Sequence, residues 1–265
     1  RRLGGEPAPA KAFRQGNYGP ALAQLEQGLA LARTIGWRHG ETYFLGALGN
    51  VYFDLGDFPA AATHHDEALR TGRELQDREG EAISLDTLGL IATIRGRATE
   101  AAGYFAAALA IQQVIGDQHS AAYTLTHRGY LLATTGEYAA AQADFAAAQA
   151  IREEFGEEEA AIDSAAGLAL VAWRTGEHTS ALAQARTLAS WLAEHPDLPV
   201  EYPTQVLLIC HEILAAAGEP GLAGAVLAQA AQFVRARAEY IADPALRRQF
   251  LQQGYLNAAV LSLAG

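Results

Sequence analysis

Methionine is absent from this chain, and cysteine and lysine occur once each, as Cys210 and Lys11. Each shortage removes a class of explanation. A lone cysteine forms no internal disulfide and no cysteine metal site, which points weakly to a reducing compartment. With only one lysine, far from any Gly-x-x-x-x-Gly-Lys pattern, no nucleotide-binding P-loop is present. Lys and Arg total 19 against 30 Asp and Glu, for a net charge of −11. That excess argues against a nucleic-acid surface, since phosphate binding needs clustered basic residues. No apolar run approaches the ~20 residues of a membrane span. No charged-then-apolar signal segment opens the chain, so the expected location is cytoplasmic. Gly-x-Ser-x-Gly and His-Glu-x-x-His are both missing; position 215, where His211-Glu212 would need its second histidine, is Ala215. The missing first methionine gives the expectation of a piece cut from a longer protein. Arginine in place of lysine, beside abundant alanine, reads as the coding bias of a GC-rich bacterium.

What is present is a period. The stretch from Leu48-Gly49 through Gly56-Asp57 to Ala60-Ala61 reads as a helix end, a tight turn and a helix start. It returns 40 residues later around Gly96, again around Gly136 and again around Gly176; Gly16 lies upstream in the same register, and Gly218 follows two residues late. A fixed period between 20 and 50 residues is the signature of a repeat array. Glycine suits the turn because it takes a left-handed backbone without steric cost. The second helices carry Ala61 and Ala68, Ala101, Phe105 and Ala108, Ala141, Phe145 and Ala148, then Ala181, Ala185 and Leu188. These spacings put small and large residues on one helix face, where small ones let neighbouring helices touch.

The units divide as a partial repeat over 1–35, full repeats at 36–75, 76–115, 116–155 and 156–195, and a divergent repeat over 196–241. A capping segment over 242–265 completes the single array. In each full unit the first helix is expected from near the fifth residue. Gly4, Gly5, Pro7 and Pro9 allow at most a short helix before residue 15. Pro196, Pro199 and Pro203 make the fifth linker extended. Asp243-Pro244 reads as an N-cap and first turn, starting a last helix to about residue 262 that covers the final pair.

The pattern resembles the tetratricopeptide repeat in its 40-residue form. Leu45, Leu48-Gly49, Tyr52, Gly56, Ala61, His65 and Ala68 give the family's order in the first full unit. Leu85, Leu88-Gly89, Ala92, Gly96, Ala101, Phe105 and Ala108 repeat it in the second. It is similar to the sensor arrays of large bacterial signalling ATPases and transcriptional regulators. The resemblance implies an all-α, right-handed α-solenoid of antiparallel helix pairs. It also implies protein or peptide binding in the concave groove, with no catalysis, cofactor or metal. A free-standing scaffold or adaptor is the alternative; an enzyme of helical-array fold is a third, opposed by the lack of any converging acid, base and nucleophile. A recognised ATPase or DNA-binding domain encoded upstream would decide between the first two.

The groove, lined by the first helix of each pair, is expected to bind through Tyr43, Asn50, Asp54, Asp86, Tyr123, Thr126, His127, Tyr130, Trp173 and Arg174. Tyr130 and Trp173 are expected to flank one ligand side chain, with Arg174 meeting a carboxylate beside them. Leu90 and Leu170 suit packing as well as binding. His64-His65 is no metal site, because neighbours on a helix diverge by about 100°. His65 instead falls in the repeat's core aromatic slot, and Cys210 reads as a small buried hydrophobe. The run from Glu153 to Glu159 reads as a solvated face.

Overall fold

The structure is a computed structural model that describes residues 18–195 and 200–265. The short helix expected before residue 15 lies outside the described residues. Over the rest the chain is an all-α, right-handed solenoid of thirteen helices. In order these are α1 (Tyr18–Ile35), α2 (Arg38–Asp54), α3 (Phe58–Leu75), α4 (Arg78–Ile94), α5 (Ala98–Ile115), α6 (Gln118–Thr135) and α7 (Tyr138–Phe155). The array continues with α8 (Ile162–Arg174), α9 (His178–Glu194), α10 (Pro203–Ala216), α11 (Pro220–Glu239), α12 (Pro244–Gln253) and α13 (Asn257–Leu263). Among the described residues no helix is long and apolar enough to cross a membrane.

Glycine does what the period requires. Gly56, Gly96, Gly136, Gly176 and Gly218 all have φ between 70° and 90°, each within two residues of a helix end. The amide after each reaches back five residues, as in Asp57 N–H to the Tyr52 carbonyl at 2.8 Å, closing the helix C-terminus. A second left-handed series, also 40 apart, sits between units at Gly36, Gln76, Gly116 and Gly156. The helices that follow begin earlier than expected, at the third residue of the unit rather than near the fifth. In the second and third full units the reason is capping, for Asp77 and Asp117 accept the amides of Gly80 and Ser120, each at 3.0 Å; α2 starts as early without a side-chain cap. The fourth unit is the exception, with α8 starting only at Ile162.

Within a pair the helices meet through a ring pressed against a glycine. A Cβ on Gly89 would sit 2.6 Å from the Phe105 ring, one on Gly129 2.7 Å from Phe145, and one on Gly49 2.5 Å from His65. All three rings are fully buried, as are Ala61, Ala68, Ala101, Ala108, Ala141 and Ala148. Between units, buried carboxylates are clamped by arginines. Glu41 accepts from Arg33 Nε at 3.0 Å and Arg38 Nη1 at 2.5 Å. Forty residues on, Glu81 accepts from Arg73 Nε at 2.7 Å and Arg78 Nη1 at 2.9 Å. Burial alone raises a carboxyl's pKa, yet the two guanidiniums outweigh it and hold both glutamates below their ordinary value.

The C-terminal third departs from expectation. The single last helix is two, broken at Gly254–Leu256. Gly254 is extended and Leu256 left-handed, with φ of 60°. The Asn257 side chain donates to the Phe250 carbonyl at 3.0 Å and fixes the corner. These helices do more than cover the final pair. Phe250 meets Tyr18 with ring centroids 5.9 Å apart, and the backbone of Gln253 and Gly254 lies directly against Gly56. Arg237 of α11 donates to the Tyr18 hydroxyl at 2.9 Å and lies 3.4 Å from Asp54, to which Tyr18 also donates. The end of the array is therefore tied back to its first described helices.

Candidate binding groove and chamber

The inner helices α2, α4 and α6 line up with their 40-residue register intact, so residues at equivalent slots form a continuous surface. Two hollows open on it. The first, of about 430 Å³, is a cleft between α2 and α4 lined by Tyr43, Gly46, Ala47, Asn50, Ile83 and the backbone near Gly80. Tyr43 and Ile83 are apolar side chains left 50% and 43% exposed, and Asn50 beside them is exposed too. Gly46 has open space where a Cβ would stand, which keeps the cleft floor flat.

The second hollow, of about 770 Å³, adjoins the first at Asn50 and Ile83. Its wall comes from α2 (Asn50, Phe53, Asp54), α4 (Asp86, Thr87, Leu90) and α6 (Ser120, Tyr123, Thr124, His127), with Gln112 from α5. Its other side is the chain's own strap, Val200–Pro203, and Phe233 and Arg237 of α11. The strap is pinned by Asp163 of α8, whose two carboxylate oxygens accept the amides of Glu201 and Tyr202 at 3.0 and 3.1 Å. Burial, and then the Glu201 charge, push the Asp163 carboxyl up to about 7 against those two hydrogen bonds. The Tyr202 ring meets His127 and Tyr255 edge-on, at 5.5 and 6.1 Å.

His127 is the electrostatic pivot. Its Nδ1 lies 2.9 Å from Asp86, and its Nε2 faces Glu201 at 3.4 Å. Burial pulls its pKa down, but the two carboxylates outweigh burial and raise it to about 10, so the ring is an imidazolium near neutral pH. Tyr123 stands opposite with the buried Arg152 guanidinium 3.7 Å above its ring.

The expected site residues therefore separate into three groups. Tyr43 and Asn50 face the cleft; Asn50, Asp54, Asp86, Tyr123 and His127 line the chamber. Thr126 and Tyr130 face neither hollow. Thr126 is buried and donates to the Ala122 carbonyl at 2.9 Å. Tyr130 is 7% exposed, packed on Phe145, and its hydroxyl donates to the Asp163 carbonyl at 2.6 Å. Trp173 and Arg174 lie farther along the array. Trp173 packs on His178 at 4.4 Å, and Arg174 meets Glu212 at 2.7 Å. The expected pairing of Tyr130 with Trp173 does not form a clamp, because Tyr130 is spent on holding α8. Of the two aliphatics, Leu90 lines the chamber. The histidine pair behaves as packing: His64 stacks on Tyr52 with ring centroids 5.3 Å apart, and His65 is buried.

Sequence reasoning missed Gln112, Glu201, Tyr202 and Arg237. For Gln112 a signal existed. Its slot holds Ala32, Gly72 and Leu192 in other units, and only Gln112 and Arg152, each 2% exposed, put a polar side chain there. For the strap, Pro196 and Pro199 of the expected extended linker lie outside the described residues, and no spacing announced where Val200–Pro203 would lie.

Residues 42–113 match a tetratricopeptide repeat family model. That match covers the units whose glycines, rings and alanines are described above. Those residues carry tetratricopeptide repeats. No curated protein matches it in sequence. Among solved structures, the chain is similar to BtubC (BKLC) from P. vanneervenii, with a TM-score of 0.61 and 17% identity over 90% of this chain and 96% of that one. It is also similar to a Rap protein complexed with Competence and Sporulation Factor, with a TM-score of 0.65 and 15% identity over 97% of this chain and 73% of that one. At these identities the likeness is one of fold. Tetratricopeptide repeats are in general protein-binding scaffolds.

Proposed function

We propose that this tetratricopeptide array binds a protein segment or peptide along its inner face, seated first in the cleft between α2 and α4. The observation that carries this reading is the pair Tyr43 and Ile83. Two large apolar side chains stand half exposed across a flat-floored cleft, with the Asn50 amide between the cleft and the chamber. Core packing does not require them there. An aromatic anchor with a polar neighbour able to donate and accept is the usual equipment for peptide recognition. The Rap protein of similar fold was solved with Competence and Sporulation Factor bound, which supports a binding role for such a scaffold. The array is read as a binding module rather than an enzyme, cytoplasmic, and the partner-sensing part of a larger bacterial signalling or regulatory protein. The bacterial reading rests on the arginine and alanine bias and on the repeat's resemblance to such sensor arrays.

The test is selection of peptides from a displayed random library, followed by titration of a selected peptide. Tyr43→Ala combined with Ile83→Ala is expected to weaken binding roughly thirtyfold, while the outer-face control Glu158→Ala leaves it unchanged. Parent-like affinity in the double variant would move the interaction off this cleft.

A further inference from the structure

The chamber is walled by more negative charge than its cations cancel. Asp54, Asp86 and Glu201 face it, against His127 and Arg237. The excess is felt at Tyr202, whose hydroxyl is held well above the usual tyrosine range, first by burial and then by Glu201, Asp86, Asp54 and Asp163. A second observation is independent of charge. Gln112 lines the chamber at 2% exposure and donates through Nε2 to Thr124 Oγ1 at 2.9 Å. Thr124 spends its own proton on the Ser120 carbonyl, so the amide's orientation is fixed. Its Oε1 is left as an acceptor with no partner in the protein. A buried acceptor without a donor keeps the full cost of its lost hydration, which a ligand N–H relieves.

We infer that the chamber is a subsite for a cationic, N–H-donating side chain, the guanidinium of an arginine or the ammonium of a lysine, in the segment bound along the inner face. This rests on the groove reading only for the identity of what carries the cation. The cleft and chamber share Asn50 and Ile83, so a segment seated on Tyr43 places its next side chains at the chamber's mouth. Inside, the cation donates to Gln112 Oε1 and to Glu201, whose carboxylate is 31% exposed and meets His127 through Oε2 alone at 3.4 Å, whereas both oxygens of Asp86 lie within 3.1 Å of His127 Nδ1. Because Glu201 belongs to the strap, the bound cation joins the strap to the repeats. A carboxylate-bearing ligand is disfavoured by the same charges.

The experiment uses the whole chain and three small probes, Nα-acetyl-argininamide, Nα-acetyl-lysinamide and the neutral Nα-acetyl-citrullinamide, titrated by NMR. At least one cationic probe is expected to bind ten times more tightly than the citrulline compound. The comparison of arginine with lysine tells guanidinium from ammonium. Glu201→Gln, at a partly exposed position that keeps its size, should weaken the cation about tenfold with an unchanged thermal melt; Gln112→Leu should weaken it several-fold. Equal affinity for charged and neutral probes overturns the inference, and so does parent-like binding by Glu201→Gln. Library peptides that need Tyr43 but carry no basic residue also overturn it, while leaving the cleft reading in place.

Discussion

The first full units and the C-terminal third hold their helices together by different means. Units 36–75 and 76–115 share a set of local ties that recur at the period. Each has a glycine under a ring, an arginine pair around a buried glutamate, and a left-handed residue at each turn. From α8 onward the repeated devices thin out. Ala169 stands where Gly49 and Gly89 stood, and its ring partner has shrunk to Ala185; farther on the same two slots hold His211 and Leu227. In exchange, this region gains distant anchors: the strap pinned to Asp163, and the Tyr18–Asp54–Arg237 cluster. Regular repeats can rely on neighbours alone, whereas a divergent end needs contacts from outside its own unit.

A matched pair of glycines can break that contrast. Gly56 and Gly96 share a left-handed turn, with φ of 80° and 70°. Around Gly96 nothing stands within 4 Å of a new methyl, but at Gly56 the methyl would overlap the Gln253 and Gly254 backbone. Gly96→Ala should cost only the conformational strain, about 1 kcal/mol. Gly56→Ala should cost at least about 3 kcal/mol, because backbone cannot step aside as a flexible side chain can. Urea unfolding of both variants reads the difference. Equal losses would mean that the C-terminal helices contribute nothing through their contact with the first unit.

The slot shared by His65, Phe105 and Phe145 sharpens the equivalence of the regular units. His65 is fully buried, and both its ring nitrogens lack partners. Burial, then the neighbouring His64, hold its pKa down to about 4. A histidine kept neutral in the fold favours unfolding as soon as the unfolded ring takes a proton. Its penalty is therefore absent above about pH 6.5 and grows as pH falls toward 4. His65→Phe should raise stability by about 1–3 kcal/mol at pH 7.5, by removing two unpaired polar atoms, and by more at pH 5. Melting curves at the two pH values check both the sign and the trend. A destabilised variant would show that the first unit's slot is shaped differently from the other two.

The smallest effect concerns the inter-unit turn. Gln76 is left-handed, with φ of 58°, where Gly36, Gly116 and Gly156 occupy the equivalent places. Gln76→Gly should stabilise by about 0.5 kcal/mol, the relief of strain being partly offset by the greater freedom of glycine in the unfolded chain. The midpoint of chemical denaturation is the measure.

The same division governs what could be read before the structure. The helix pairs, their turn glycines and the buried alanines were legible because each is dictated by neighbours a few residues away and repeated. Half of the candidate site was legible for the same reason: Tyr43, Asn50, Asp54, Asp86, Tyr123 and His127 follow from register on the inner helices. Tyr130 obeys the same register but is consumed by Asp163, a contact 33 residues away that no spacing announces. The Asp77 and Asp117 caps were written in the linkers and shift the helix starts by local rules. Glu201, Tyr202 and Arg237 reach the chamber through the superhelical path of the whole array. That path accumulates small rotations per repeat, and no short stretch of sequence carries their sum.

An array of stacked repeats ordinarily unfolds like a zipper, with its outermost units fraying first and often. The hydrogen bond from Arg237 to Tyr18 joins residues 219 positions apart, so here the zipper is buckled into a hoop. Fraying of either joined helix has to break its tie to the other. Amides in α1 and α12 should exchange with solvent only in events that open both together. Folding inherits the mirror image of this constraint: the repeats can form in any order, but the buckle is the last step, and it waits for units at both ends.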